Sequence, residues 1–177
     1  LLINSVGIAK IKREGKFIIF YLQNKHSIVF HLGMSGRLRL YKKLDFKNTK
    51  HDHCLLKINN GRYLIFNDPR KFGFIDYDLE KIINSRKYFT SLGVDALSSS
   101  FNGPYLFSKI SKSIVPIKQI LLNQTIIAGI GNIYASEILF NAKISPLKRG
   151  KDIQLCDCDK ICKSVRKILK KAINSGG

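Results

Sequence analysis

Residues able to do chemistry gather at three places in this 177-residue chain. The first is Asn67-Asp68-Pro69-Arg70-Lys71-Phe72-Gly73, which lies between two apolar runs, with Pro69 and Gly73 marking a rigid turn. Its tip carries two cations and an aromatic ring. A planar guanidinium at Arg70 can pair with a base edge or a phosphate while Phe72 stacks on bases. The plainer alternative buries Phe72 in the core and has Arg70 cap a neighbour. The second is His31-Leu32-Gly33-Met34-Ser35-Gly36, whose two glycines hold Met34, the only methionine, at a loop tip. A flexible apolar side chain there either fills a gap in the core or acts as a wedge. The third runs from Gly129 to Glu137, where a Gly-x-Gly turn opens a helix. Such a turn offers unpaired backbone N–H groups to an anion, and Asn132 adds a side-chain donor. It is not a dinucleotide fingerprint, because no strand leads into it and the third glycine is missing.

Cys156, Cys158 and Cys162 lie close together and invite a metal reading. They fall in a segment of helical period, where residues two apart point to different sides, and no histidine is nearby. They read, with Cys54, as reduced structural thiols, and no metal is assigned to them. The bulk charge says more. Thirty-one Lys and Arg against twelve Asp and Glu give +19, with a pI near 10.0. Residues 1–100 carry +10 of it and residues 101–177 carry +9, so the excess is not a tail. One long polyanion touching both halves would use such a distribution. Drift in an AT-rich genome would also produce it, since 23 of the bases are Lys. No stretch approaches a membrane span, and Leu1-Leu2-Ile3 is too short for a signal-peptide core, so a soluble, cytoplasmic chain is expected.

The elements that must position these residues change period midway. Short β-rich runs occupy 16–22, 27–31, 37–41, 54–58, 62–66 and 73–77, with Asn59-Asn60-Gly61 as a hairpin turn. Together they predict an antiparallel sandwich or barrel. Segment 81–100 reads as a polar connection with at most a short helix. Helices are then expected over Leu106–Ser113, Pro116 to about Asn123, Asn132–Asn141, and about Asp152 to Ser175. Within these, Ile133, Ser136, Glu137 and Phe140 share helical spacing, and Leu155, Cys158, Cys162, Val165, Ile168, Leu169 and Ala172 form a stripe. The domains divide as 1–94 and 95–177.

Four motifs, His31-Leu-Gly-Met-Ser-Gly36, Lys50-His-Asp-His53, Asp68-Pro-Arg-Lys-Phe-Gly73 and Gly131-Asn-Ile-Tyr-Ala-Ser-Glu137, occur in the order of bacterial formamidopyrimidine-DNA glycosylase, which the whole chain resembles. The resemblance implies an α+β protein: an N-terminal antiparallel β-sandwich, here incomplete, then an all-helical domain with a helix–two-turn–helix motif. It also implies a monomer acting on double-stranded DNA that contains oxidised purines or abasic sites. Met34 would fill the hole left by a flipped base, Arg70 would pair with the orphaned cytosine, and Phe72 would wedge beside it. His31 and His51 match DNA-contacting histidines, and Asn132 a phosphate-binding asparagine. Lys16 matches a catalytic-site lysine, although as a bare sequence feature it is a solvated lysine beside a turn. Lys118 matches a residue near the lesion. Met34 stands on a different loop from Arg70 and Phe72, which favours this family over its endonuclease VIII relatives.

The match has departures. The family's nucleophile is an N-terminal proline followed by a glutamate, and Leu1-Leu2-Ile3 supplies neither. The family's C-terminal zinc finger, which holds one structural zinc, is also unmatched, so no cofactor is expected in this chain. Ser113 stands where relatives often carry lysine, with Lys109 and Lys112 beside it to compensate. The expectation is therefore a fragment of a bifunctional glycosylase and abasic-site lyase. The alternative is a DNA-binding remnant without catalysis. Borohydride trapping on abasic DNA should give no covalent adduct with residues 1–177 alone, and a trapped adduct would overturn that expectation.

Overall fold

The computed structural model describes residues 6–42 and 49–176, so Leu1-Leu2-Ile3 and Gly177 lie outside the described residues. The chain forms two compact units, Leu1–Ser85 and Arg86–Gly177. The divide precedes the expected one after residue 94 for a local reason. Val94 and Asp95 pair in parallel with Ile127 and Ala128, and the Gly93 N–H donates to the Gln124 carbonyl at 2.9 Å. Residues 86–94 are thereby fixed to the second unit.

The described residues of the first unit form seven strands: β1 (Ile8–Glu14), β2 (Phe17–Leu22), β3 (His26–His31), β4 (Arg37–Lys42), β5 (Asp52–Ile58), β6 (Arg62–Asn67) and β7 (Phe74–Leu79), followed by the short helix α1 (Glu80–Ser85). They make two antiparallel sheets, ordered β1-β2-β3-β7 and β4-β6-β5. Alternate residues of β2 and β3 turn Phe20, Leu22, Ile28 and Phe30 toward Phe66, Leu38, Leu56 and Leu64 of the other sheet. This is the expected sandwich. On the opposite face Ile19 pairs with Val29, both fully buried, and α1 packs on β3 and β7 with Ile83 inward. β5 and β6 form the expected hairpin, closed by a 3₁₀ turn over Asn59–Gly61. β1 escaped the sequence reading because six of its seven residues are exposed, leaving no period-two signal.

The second unit contains α2 (Lys87–Thr90), the two-residue strands β8 (Val94–Asp95) and β9 (Ile127–Ala128), α3 (Gly103–Ile110), α4 (Ile117–Leu122), α5 (Asn132–Ala142) and α6 (Leu155–Asn174). Its core joins Leu106, Ile110, Ile117, Leu121, Ile138, Ile161 and Val165. Two expectations, for α3 and α6, are corrected here, and the inward face of α5 is settled. α3 begins at Gly103, ahead of Leu106, because the Asn102 side chain accepts from the Tyr105 N–H at 2.9 Å and Pro104 suits the first turn. α5 turns Ala135, Ile138, Leu139 and Ala142 inward, while Ile133 and Phe140 face out at 72% and 88% exposure. Leu155, at the first position of α6, is exposed rather than part of the buried stripe, and Ile161 joins that stripe instead.

Cys158 and Cys162 lie in this core, whereas Cys156 is exposed. Burial pushes the Cys158 thiol up to about 12 and the Cys162 thiol up to about 11. Since the thiolate is the reactive form, iodoacetamide at about pH 8 should alkylate Cys156 in the native chain well before either. Peptide mapping reads the order, and equal rates would contradict the packing of α6.

Candidate nucleic-acid interface

Two loops at one end of the sandwich carry the exposed chemistry of the first unit. The β3–β4 loop follows directly from His31 and holds Met34, 68% exposed; the β6–β7 loop holds Arg70, Lys71 and Phe72, with Phe72 55% exposed. Neither Met34 nor Phe72 is a core residue. The Arg70 guanidinium carbon sits 5.0 Å from the centre of the Phe72 ring, so cation and ring present one combined surface.

What joins the loops is Asp68, which has no solvent exposure. Its carboxylate accepts from the Ser35 hydroxyl at 2.5 Å, on the Met34 loop. It also accepts the backbone N–H groups of Gly73 at 2.8 Å and Arg70 at 3.3 Å, with a further bond from the Phe72 backbone. These bonds, the Ser35 hydroxyl foremost, hold the carboxyl below its ordinary value. The backbone of Asp68 reaches a third segment: its N–H donates to the His51 carbonyl at 3.0 Å, and its carbonyl lies 2.8 Å from His53 Nε2. Direct backbone contact completes the joint. A Cβ on Gly33, whose φ is +60°, would lie 2.6 Å from the Phe72 carbonyl carbon, and one on Gly73 would lie 2.5 Å from the His31 oxygen. Only glycine permits that approach.

Lys16 and His31 are brought together by strand register. Lys16 precedes Phe17, which pairs with His31 across β2 and β3, and the His31 ring is stacked on Phe74 at 5.4 Å. Burial lowers the His31 value and the Lys16 charge lowers it further; burial also lowers the Lys16 amine. His31 Nδ1 is buried without a hydrogen-bond partner among the described residues. His31 is thus held toward its neutral form, and Lys16 is the cation of the pair. His51 is half-buried just before β5.

In the second unit Asn132 is exposed at the first position of α5, after Gly131, whose own side cannot cap the helix. The turn before it is built by Gln124, which sequence reading passed over as an ordinary polar residue. Its amide nitrogen donates to the carbonyls of Leu122 at 2.9 Å and Ile130 at 3.0 Å, and its amide oxygen accepts the Gly129 N–H at 2.9 Å. One side chain therefore satisfies three backbone groups that flank the two-residue strand β9 and lie outside its ladder. Lys118 on α4 is half-buried and lines an open pocket of about 530 Å³ with Ser136, Phe140 and Lys143. Lys112 is exposed in the turn after α3 and does not line that pocket.

The pH dependence of the Asp68 joint has a definite sign. A carboxyl lowered in the folded state contributes stability that is complete above its unfolded value of about 3.9 and is lost as pH falls toward its folded value. Urea unfolding of Asp68→Asn should therefore show a shallower loss between about pH 5 and 3 than the parent chain. An unchanged acid slope would remove Asp68 from this role.

Comparison with known proteins finds matches to both units. The profile of the formamidopyrimidine-DNA glycosylase N-terminal domain matches residues 3–75, and that of its H2TH domain matches residues 92–177. The formamidopyrimidine-DNA glycosylase of Rickettsia felis is 40% identical over 175 residues, 99% of this chain and 63% of that protein. The protein of the same name from Wolbachia sp. subsp. Brugia malayi is 42% identical over 171 residues, 96% of this chain and 62% of that protein. The chain thus spans a little under two thirds of the curated relatives it matches. Among solved structures, Lactococcus lactis Fpg bound to abasic-site DNA superimposes with a TM-score of 0.88 at 34% identity, covering 97% of this chain and 63% of that one. The same enzyme bound to Fapy-dG DNA gives 0.88 at 34%, covering 97% and 64%. With both of its units matched in order, and with the fold of both shared, the chain belongs to the formamidopyrimidine-DNA glycosylase family.

Proposed function

We propose that this chain works in DNA base-excision repair, holding a duplex open around an oxidised purine or an abasic site. The observation that carries the reading is the pairing of an exposed Met34 with an exposed Arg70–Phe72 surface on two loops tied through Asp68. Flipping a base out of the stack leaves a hole and an unpaired partner base. An unbranched apolar side chain suits the hole, a guanidinium fork suits the edge of the partner base, and an aromatic ring stacks beside it. The Lys16–His31 pair lies at the end of β3 from which the Met34 loop departs, which suits both to the sugar–phosphate at the lesion. The Asn132 turn suits a backbone phosphate further along.

In the reaction so assigned, the whole protein breaks the glycosidic bond of 8-oxoguanine or a formamidopyrimidine and then cleaves the abasic site through a Schiff base and β-elimination. Lys16 supports that chemistry, and the protein acts as a monomer in the bacterial cytoplasm. Support comes from the family membership and from the relatives solved with abasic-site and Fapy-dG DNA.

Binding to duplexes with and without an abasic-site analogue tests the reading. Met34→Ala and Arg70→Ala should each weaken lesion-duplex binding by roughly tenfold, corresponding to about 1.4 kcal/mol, and undamaged-duplex binding much less. Equal losses on both duplexes would overturn the void-filling assignment.

A further inference from the structure

α6 carries a charged face that the lesion-holding reading leaves unused. Lys160, Lys163 and Lys167 follow one another at helical spacings of three and four, Lys170 and Lys171 lie three and four residues beyond Lys167, and all five are exposed. At 100° per residue they occupy one side of the helix, opposite the side that buries Cys158, Ile161, Cys162 and Val165. From Lys160 to Asn174 the helix contains no acidic residue. Only Lys160 of the five is in an ion pair among the described residues, with Asp157 at 3.2 Å. Like charges at these spacings weaken a helix, so the stripe does not serve the stability of α6.

We propose that this lysine face is a second, sequence-independent contact for duplex DNA. The inference rests on the DNA-binding reading above. The stripe extends roughly 16 Å along the axis, a length over which a duplex presents on the order of ten phosphate charges. The partner has to be a polyanion with its charge on the outside. An anionic membrane suits the face poorly, because Cys158, Ile161, Cys162 and Val165 are packed in the core and the lysine stripe itself carries no large apolar side chain to insert. The face also points away from α5 and α3, which pack on the other side of α6. A phosphate held at the Asn132 turn of α5 and one held by the stripe therefore belong to different stretches of nucleic acid. The chain would bridge two DNA segments, keeping one engaged while it searches the other.

The test uses the 177-residue chain, an immobilised lesion duplex and a labelled undamaged duplex at low salt. The chain should recruit the labelled duplex to the immobilised one. Lys163→Gln/Lys167→Gln/Lys171→Gln should keep its melting temperature and its lesion-duplex binding while recruitment weakens by more than about tenfold. Each single substitution should lower the log–log salt slope of recruitment by about 0.9. Recruitment unchanged in the triple variant overturns the proposal. So does a chain that binds the lesion duplex without recruiting a second, or one that retains phosphatidylserine vesicles in place of the second duplex. Failure to bind the lesion duplex at all is a failure of the functional reading. The stripe is then read from direct binding of the labelled duplex, which the triple variant should lose and the parent chain keep.

Discussion

Asp68 carries a negative charge at a place from which water is excluded, and such a charge persists only where directed hydrogen bonds replace its hydration. Four donors meet it, one from the Met34 loop and three from its own loop. The requirement to satisfy that carboxylate fixes the distance between two loops far apart in sequence. Close approach of the backbone at Gly33 and Gly73 then fixes their relative orientation. The rest of the first unit serves this joint. β3 and β4 deliver one loop, β6 and β7 deliver the other, and the hydrophobic contact of Phe30 with Phe66 holds together the two sheets from which they spring.

The second unit solves a comparable problem with a neutral group. Its largely buried turn before α5 has backbone groups that no helix or sheet satisfies, and the Gln124 amide reaches three of them. A charge there would compete with an anion at Asn132, whereas an amide organises the turn without changing its field. The two units thus build their loops by the same rule, in which a polar side chain substitutes for missing backbone partners. They differ in whether that side chain is charged.

Much of this was legible in sequence. The β-rich runs at 16–22 and 27–31 predicted the buried strands β2 and β3, whose apolar residues run nearly continuously because both faces of that sheet are covered. Asn59-Asn60-Gly61 predicted its hairpin. The chemistry of the loops showed in the types of Met34, Arg70 and Phe72. What sequence did not show was physical context. β1 has an exposed surface and no periodic signal. α5 has apolar residues on two sides, and spacing alone could not choose Ile138 and Leu139 over Ile133 and Phe140 as the buried set. Asp68 read as one more turn aspartate, since nothing in its neighbours announces that four donors converge on it. Its role needed the three-dimensional approach of Ser35, 33 residues away.

The identity of the donors to Asp68 has an evolutionary consequence. Apart from the Ser35 hydroxyl, all are backbone amides, and no side chain of Met34, Arg70 or Phe72 takes part. The frame that places those three side chains is therefore indifferent to what they are. Natural variation can exchange Met34, Arg70 or Phe72 one at a time, changing what the loop tips present without dismantling the support beneath. A loop built this way separates heritable architecture from an adjustable surface, so the side chains at its tip can change while the scaffold stays put.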